Sequence, residues 1–393
     1  MFRACVSMIG GRDFLKNFDG MSLLKRLIKL IALAAVVSNT VFFTGCGLNG
    51  QPRPRVGSYP ASSMGSKFLD IDDLGTHSYE LGIGEHNGLV YTNRGGHIDI
   101  AHLRIAADNT RALYYKTRQN LISGNSEFTF KLNVEPSLYY VELEYPKYWQ
   151  ALSPQYKEKI ADKLAIEMSQ YFTYTMTTWH EVLTWFGFKC IPFLPEKSSA
   201  FSWEDIYSNL LGTRLGAQAL QDKNHNFNEA MTILLKRELE NLGIQSSQTA
   251  RQAARLMKDK YFDGRSYLDP TRSMDIGLYD GLVTPVLIPG VCLNAEPKSY
   301  PVPTLDALKK YGFRMSLEIH PKELVSSKIL KVVYPNGMLD RKIHPAEHLP
   351  IVMDYIKKEA ARQGFAVRPT EGLTVSSVSA PQKSKDASLP PNL

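Results

Sequence analysis

An acidic residue and a histidine are spaced for joint chemistry in the segment GGHIDIAHLR, residues 95–104. Asp99 and His102 stand three residues apart, and side chains at that spacing are neighbours on a helix. A carboxylate next to an imidazole can share a metal ion with it, or can orient the imidazole as a base. The same pair can also be a buried structural hydrogen bond, a common arrangement inside proteins. The sequence leaves both interpretations open.

We expect these residues to lie on a helix that is packed between two layers. At 100° per residue, one polar stripe consists of His97, Arg104, Asp108 and Arg111. Asp99 and His102 lie near the opposite side, and apolar residues fill both arcs between. One stripe can therefore face solvent, and we expect the stripe with Asp99 and His102 to face the interior.

A second candidate cluster, His180 and Glu181, falls near the end of a long predicted helix. The segment begins like the zinc-protease motif HExxH, but Thr184 occupies the place of the second histidine, so a zincin assignment fails. A narrow polar stripe nevertheless follows one side of this otherwise apolar and aromatic helix. A buried helix carries such a stripe when it meets polar partners or a wet cleft. We therefore predict that His180 and Glu181 join Asp99 and His102 as metal ligands or acid–base groups, with a structural role as the alternative.

Two further acidic segments have both a structural and a functional interpretation. A capping box between Ser202 and Asp205 would explain Asp205 and its neighbour Glu204 as residues that begin a helix. The Gly-punctuated segment 274–281 contains two carboxylates and suits a turn better than an oxygen-rich cation site. Asp205 or Asp275 could also complete a site with the two histidines.

The elements around these residues predict an α+β body, rich in helix, with long central helices packed on a small antiparallel sheet. The predicted strands are 127–134, 139–145, 314–319 and 329–334. The predicted helices run from Ser153 and Pro154 to about Phe186, from Ser202 onwards, from near Asn228 to Gly243, and over about 346–363.

Residues 21–46 have the three parts of a bacterial export signal. Lys25, Arg26 and Lys29 precede an apolar stretch, and the cut region FTGC resembles the lipobox of bacterial lipoproteins. We expect translation to start at Met21, cleavage to occur before Cys46, and lipid to be attached to that cysteine. An uncleaved span is disfavoured because the apolar run is shorter than the ~20 residues that a bilayer requires. Gly47, which follows the cysteine, favours the outer membrane.

The predicted organisation is a signal peptide at 1–45, a lipidated flexible tether at 46–66, a globular body at 67–368 and a disordered tail at 369–393. The full chain has 46 basic and 39 acidic residues, of which six basic and two acidic lie in residues 1–45. The mature chain therefore has 40 basic and 37 acidic residues, and this small positive charge disfavours nucleic acid as a partner. Cys190 and Cys292 then remain as thiols, and the sequence leaves open whether they form a disulfide.

Several segments resemble a family of bacterial lipoproteins whose shared domain has no known function. These segments are GLVYT, GGHIDIAHLR, WHEVLTWFG, FSWEDIYSNLLG and MDIGLYDGLVTP. The resemblance covers about residues 55–365. It implies a shared fold and a location in the cell envelope, and it implies no activity.

Two classes of function follow for an anchored protein that faces the periplasm. The first is a hydrolase that acts on an envelope substrate, with Asp99, His102, His180 and Glu181 as catalytic groups or as ligands of a divalent metal such as zinc. The second is a non-catalytic envelope protein that binds a lipid, a glycan or a protein partner, in which these polar groups are structural.

Overall fold

The computed structural model describes residues 52–55, 58, 61, 65–189, 196–197, 199–257, 272–292, 294–337 and 340–364. The predicted signal peptide, Cys46, Cys190 and the predicted tail lie outside these residues. Cys292 is a free thiol, and its Sγ lies 2.6 Å from Asn93 Oδ1. No helix in the described part of the chain is both long enough and apolar enough to cross a membrane.

Eight helices contain about half of the described residues. They are α1 (Ile100–Ser123), α2 (Pro154–Trp185), α3 (Asp205–Gln221), α4 (Phe227–Asn241), α5 (Ser247–Met257), α6 (Asp306–Lys310), α7 (Ser326–Val333) and α8 (Pro345–Arg362). Local sequence explains several of their ends. Ser153 caps α2 with Pro154 in its first turn, and the side chain of Asn226 caps α4. Gly124 ends α1 in the left-handed conformation.

Three small antiparallel sheets accompany the helices in the described ranges. Their strands are β1 (Leu89–Thr92) with β2 (Gly96–Asp99), β3 (Glu127–Phe130) with β4 (Leu138–Glu144) and β7 (Arg314–His320), and β5 (Leu282–Val283) with β6 (Tyr300–Pro301). In the three-stranded sheet Val141 pairs with Phe128 on one side and Leu317 on the other. Buried and exposed residues alternate along β4, because one face of the sheet packs on the core. The fold is thus the predicted helix-rich α+β class.

Three local predictions were wrong. Residues 329–334 are not a strand, because Ile329, Leu330 and Val333 recur at helical spacing and are buried on one side of α7. His97 lies in β2 and not on a helix, since α1 begins only at Ile100. Ser202 makes no capping box with Asp205, because the N-cap of α3 is Glu204 and no side chain caps that helix.

The packing of α3 on α1 is unusually close because two glycines of α3 face the α1 backbone. A Cβ atom at Gly212 would lie 1.9 Å from Leu103 O, and one at Gly216 would lie 2.8 Å from Ala107 Cα. Residue numbers rise together along both helices at these contacts, so α1 and α3 run parallel. Their N-terminal ends are therefore neighbours, which brings Asp99 and His102 next to the start of α3.

Helix α2 also packs against α1, but it runs in the opposite direction. Thr110 Oγ1 donates to Thr173 Oγ1 at 3.2 Å, whereas further along α1 the Tyr114 hydroxyl donates to Asp162 at 3.2 Å. Higher residue numbers in α1 thus meet lower residue numbers in α2, so the two helices are antiparallel. The C-terminal end of α2, which carries Glu181, therefore lies at the end of α1 where Asp99 begins the helix.

A buried charge cluster occupies the side of α1 that was expected to face solvent. Arg104 and Asp108 are both fully buried. Asp108 pairs with Arg55, and His77 Nε2 lies 2.9 Å from Asp108 Oδ1. The expectation that one polar stripe of α1 faces solvent was wrong, because Arg55 and the 74–87 segment cover it. Glu85 completes the cluster through ion pairs with Arg55.

We expect Gly212→Ala to destabilise the protein by about 1–3 kcal/mol, because the added methyl group would overlap the α1 backbone. Intrinsic propensity alone predicts the opposite sign, since alanine favours a helix over glycine by about 1 kcal/mol. Urea denaturation measures the difference. Gln218→Ala, at an exposed position of the same helix, is the control and should change stability by less than about 0.5 kcal/mol. A stabilising Gly212→Ala would contradict the close contact.

Candidate functional site

Asp99 stands at the junction between β2 and α1 and is fixed by its hydrogen bonds. As the N-cap of α1 its Oδ1 accepts from Ala101 N at 2.7 Å and from His102 N at 3.3 Å. Ser58 adds two more bonds, from Oγ to Oδ1 at 2.9 Å and from N to Oδ2 at 3.1 Å. The backbone of Asp99 donates to Ser208 Oγ in α3 at 2.9 Å. The carboxylate is therefore buried, yet well supplied with donors.

His102 turns one ring nitrogen towards two carboxylates. Its Nδ1 lies 2.7 Å from Asp99 Oδ2 and 3.5 Å from Asp205 Oδ1 in the first turn of α3. One ligand atom from each of the three residues can be chosen so that all lie within 4.8 Å of one another. The imidazole is 21% exposed, so the site is reachable from solvent. The predicted Asp99–His102 pair thus gains Asp205 as a third member.

Two more buried carboxylates surround this trio. Glu204 accepts a hydrogen bond from Ala61 N at 2.8 Å through Oε1, while its Oε2 is buried without a partner of good geometry. Glu181, at the end of α2, accepts from Phe201 N at 2.7 Å. Its charge acts on both His102 and Asp205. Glu181 therefore lies at the edge of the site, although it is not one of the three grouped residues.

The pKa values of Asp99 and His102 move in opposite directions, as expected for an ion pair. Burial disfavours the charged form of Asp99, but the charge and hydrogen bond of His102 outweigh burial and lower its pKa. Burial also opposes the charged form of His102. The carboxylates of Asp205 and Asp99 outweigh it, and raise the pKa of the imidazole well above its usual value.

Asp205 and Glu204 behave as buried acids that resist ionisation. Burial, together with the charges of Glu181 and Glu204, raises the pKa of Asp205 well above its usual value despite His102. Burial is also the main reason that the pKa of Glu204 rises to about 7. Within the described residues, no lysine or arginine forms an ion pair with Asp99, Glu181, Glu204 or Asp205. The site therefore holds more potential negative charge than one imidazolium can balance.

His180 forms a second imidazole–carboxylate pair, with Glu135. His180 Nδ1 contacts Glu135 Oε1, and the histidine side chain is 23% exposed while that of Glu135 is fully buried. Burial opposes the charged form of His180, but Glu135 outweighs burial and raises the pKa of His180. Burial likewise raises the pKa of Glu135. The charge of His102 lowers the pKa of His180, so the two pairs influence each other.

Glu135 was missed in the sequence because nothing local marks it. It follows β3 in the 131–137 connection and meets His180 only through the tertiary fold, 45 residues away in sequence. The only signal in the sequence is that Glu135, next to the Pro136–Ser137 turn, has no oppositely charged residue within three positions along the chain. Of the four predicted site residues, Asp99 and His102 thus pair with each other and His180 pairs with Glu135. Glu181 lies at the edge of the Asp99 site.

His97, from the polar stripe, and Asp275, which could have completed the site, both have local roles. His97 is enclosed in the core, where its Nδ1 accepts from Trp203 Nε1 at 3.2 Å and its Nε2 donates to Ala250 O at 2.9 Å. Asp275 accepts from Gly277 N and Thr284 N, both at 3.1 Å, as expected for a carboxylate that shapes a turn. Neither residue contributes to the Asp99 site.

The fold and site together define a helix-rich α+β protein with a buried cluster of carboxylates and histidine. The chain matches the family model described as "Protein of unknown function (DUF4056)" over residues 59–272, which is more than half of its length. The protein therefore belongs to this family of unknown function. The match contains both imidazole–carboxylate pairs, and it is shorter than the span of 55–365 expected from the resemblance. Neither curated proteins nor solved structures gave a match.

Substitution of Glu204 should reveal the cost of its buried charge. The folded-state pKa is raised from 4.5 to about 7, so ionisation opposes folding, and the cost develops as pH rises from 4.5 to about 7. In buffer that contains a chelator, Glu204→Gln should be more stable than the wild type by up to about 3 kcal/mol at pH 8 and by little at pH 5. Urea denaturation at both pH values measures this difference. Equal effects at the two values would contradict the shifted pKa.

Proposed function

We propose that this protein is a lipid-anchored hydrolase of the bacterial cell envelope, with a divalent cation held by Asp99, His102 and Asp205. The observation that carries the proposal is the excess of buried carboxylates around one imidazole. Buried charges are strongly unfavourable unless they are paired or bind metal, and His102 supplies only one positive charge. A cation at this place would remove the need to protonate Asp205 and Glu204.

The three grouped residues have suitable chemistry for a zinc ion. Imidazole nitrogen and carboxylate oxygen are common zinc ligands, at about 2.0–2.2 Å, and catalytic zinc sites use three protein ligands and leave one position open. Atoms at such distances in a tetrahedral arrangement lie roughly 3.4 Å apart. His102 Nδ1 lies 2.7 Å from Asp99 and 3.5 Å from Asp205, so small side-chain movements suffice. A site rich in carboxylates also suits manganese.

The surrounding residues have separable roles in this proposal. His102 must lose its proton to bind a cation, because the neutral imidazole is the ligand. The hydrogen bonds from Ser58 and the α1 backbone orient Asp99. His180, held by Glu135, is the group that transfers a proton to or from substrate, since it is partly exposed and its pKa is raised. Asp99, His102 and Asp205 would hold a zinc ion, which would supply a nucleophile near neutral pH because zinc lowers the pKa of water.

Metal analysis tests the proposal directly. The full-length protein, extracted in detergent, should contain about one zinc or manganese ion per chain by mass spectrometry, as expected for a single three-ligand site. His102→Ala and Asp205→Asn should each lower this content at least about tenfold while circular dichroism shows an intact fold.

The pair of Asp222 and His225 provides a matched control. It has the same i, i+3 spacing as Asp99 and His102, with Nδ1 3.0 Å from the carboxylate, but its histidine is 42% exposed. His225→Ala should leave the metal content unchanged. If the wild type contains no metal, or if His225→Ala lowers the content as much as His102→Ala, the assignment of the cation to Asp99, His102 and Asp205 is wrong.

The alternative is a non-catalytic envelope protein in which His102 remains an imidazolium paired with Asp99. The 2.7 Å contact between Nδ1 and Oδ2 favours it, since this is an ordinary charge-assisted hydrogen bond. That alternative predicts a metal-free protein, and His102→Ala would then reduce stability without loss of any bound ion.

The location in the envelope rests on the sequence of residues 21–46. Several acyl chains on Cys46 would make membrane binding effectively permanent, whereas a single chain would be marginal. We therefore expect Cys46→Ser to move the protein out of the membrane fraction, while Cys5→Ser, upstream of the expected start at Met21, leaves it there. Mass spectrometry of the wild type should find an acylated N-terminal Cys46. An unmodified cysteine, or a chain that begins upstream of it, would contradict lipidation.

A further inference from the structure

Two apolar side chains are exposed on a closed loop formed by residues 78–85. Leu81 is 62% exposed and Ile83 is 78% exposed. The loop is held by its own hydrogen bonds, because Leu81 N and Gly82 N both donate to Ser78 Oγ, at 3.3 and 3.0 Å. The backbone thus holds both apolar side chains away from the body.

The same loop is joined to the residues that lead back towards Cys46. Arg53 Nε donates to Ser78 O at 3.0 Å, and the Arg53 guanidinium pairs with Glu85. The guanidinium lies so close to Gly82 that a Cβ atom there would be 2.6 Å from Arg53 Cζ. The N-terminal segment and the 78–85 loop therefore form one packed unit.

Few residues separate this unit from the proposed lipid. Pro52 is six residues after Cys46, and a chain of that length spans at most about 20 Å when fully extended. Pro52 is buried, and its carbonyl accepts a hydrogen bond from Asn133 Nδ2 at 3.1 Å. The neighbouring Val134 is 40% exposed. Exposed apolar side chains thus lie on both segments that Pro52 and Arg53 contact.

We propose that the 78–85 loop inserts Leu81 and Ile83 into the lipid leaflet that holds the acyl chains of Cys46. The inference rests on the proposed lipid anchor and is independent of the metal site. Single exposed apolar residues are ordinary on protein surfaces. Here two of them lie on a fixed loop that packs against the chain leading to the anchor, so they can reach apolar lipid. Their insertion fixes the orientation of the body at the membrane, which a lipid on a flexible tether would not do.

Tryptophan fluorescence can test the insertion in the full-length lipoprotein. The native tryptophans, Trp149, Trp179, Trp185 and Trp203, are at most 2% exposed and so cannot contact lipid. The Ile83→Trp protein is reconstituted in vesicles of phosphatidylethanolamine and phosphatidylglycerol, with and without brominated phosphatidylcholine. The emission of the added tryptophan, taken as the difference from the wild type, should fall by about half or more in brominated vesicles, as expected for a side chain at the acyl boundary.

Tyr156→Trp is the matched control. Tyr156 is 44% exposed in the first turn of α2. It lies 24 residues before His180 on α2, which corresponds to about 36 Å along the helix. His180 contacts Glu135, the neighbour of Val134, so Tyr156 is far from the apolar side chains near Pro52. The tryptophan at this position should show a change of less than about a tenth. Unquenched emission from Ile83→Trp, or equal quenching at both positions, would overturn the proposal. Neither result would alter the metal content expected of the Asp99 site.

Discussion

The close, parallel contact of α1 and α3 determines where the chemical groups of this protein meet. It depends on Gly212 and Gly216, since a side chain at either position would meet the α1 backbone. The contact aligns the two helix N-termini, so Asp99 and His102 from one helix meet Asp205 from the other. The partial positive charge of two helix N-termini favours carboxylates there. Helix α2, antiparallel to α1, adds Glu181 from the third side.

The same convergence creates an electrostatic imbalance. Asp99 is stabilised as an anion because backbone amides, Ser58 and His102 all donate to it. Asp205 and Glu204 lack comparable donors, and burial raises the pKa of each. A protein selected only for stability gains nothing from such groups, since removal of a buried, poorly paired charge commonly stabilises a fold. A cation bound at this site would balance the excess negative charge. Protons and the cation would compete for the same side chains, so the affinity for the cation would depend on pH.

The sequence predicted features that depend on local chemistry. The Ser153–Pro154 start of α2 and the alternation in β4 appear as expected. The adjacency of Asp99 and His102 was also predicted, although through a helix that was thought to include His97. Longer-range features were missed. Glu135 meets His180 only in the folded chain, and the apolar run 329–334 suits a strand or a short helix equally by composition. Asp205 and Asp275 were both possible members of the site, and only the packing of α3 on α1 distinguishes them.

Anomalous X-ray scattering at the zinc edge, from crystals of the protein grown with zinc, tests the central claim most directly. We expect one strong peak about 2.0–2.2 Å from His102 Nδ1 and from a carboxylate oxygen of both Asp99 and Asp205. The Nδ1 to Oδ2 hydrogen bond between His102 and Asp99 would then be replaced by two bonds to the ion. A site without a peak, in which His102 remains hydrogen-bonded to Asp99, would contradict it.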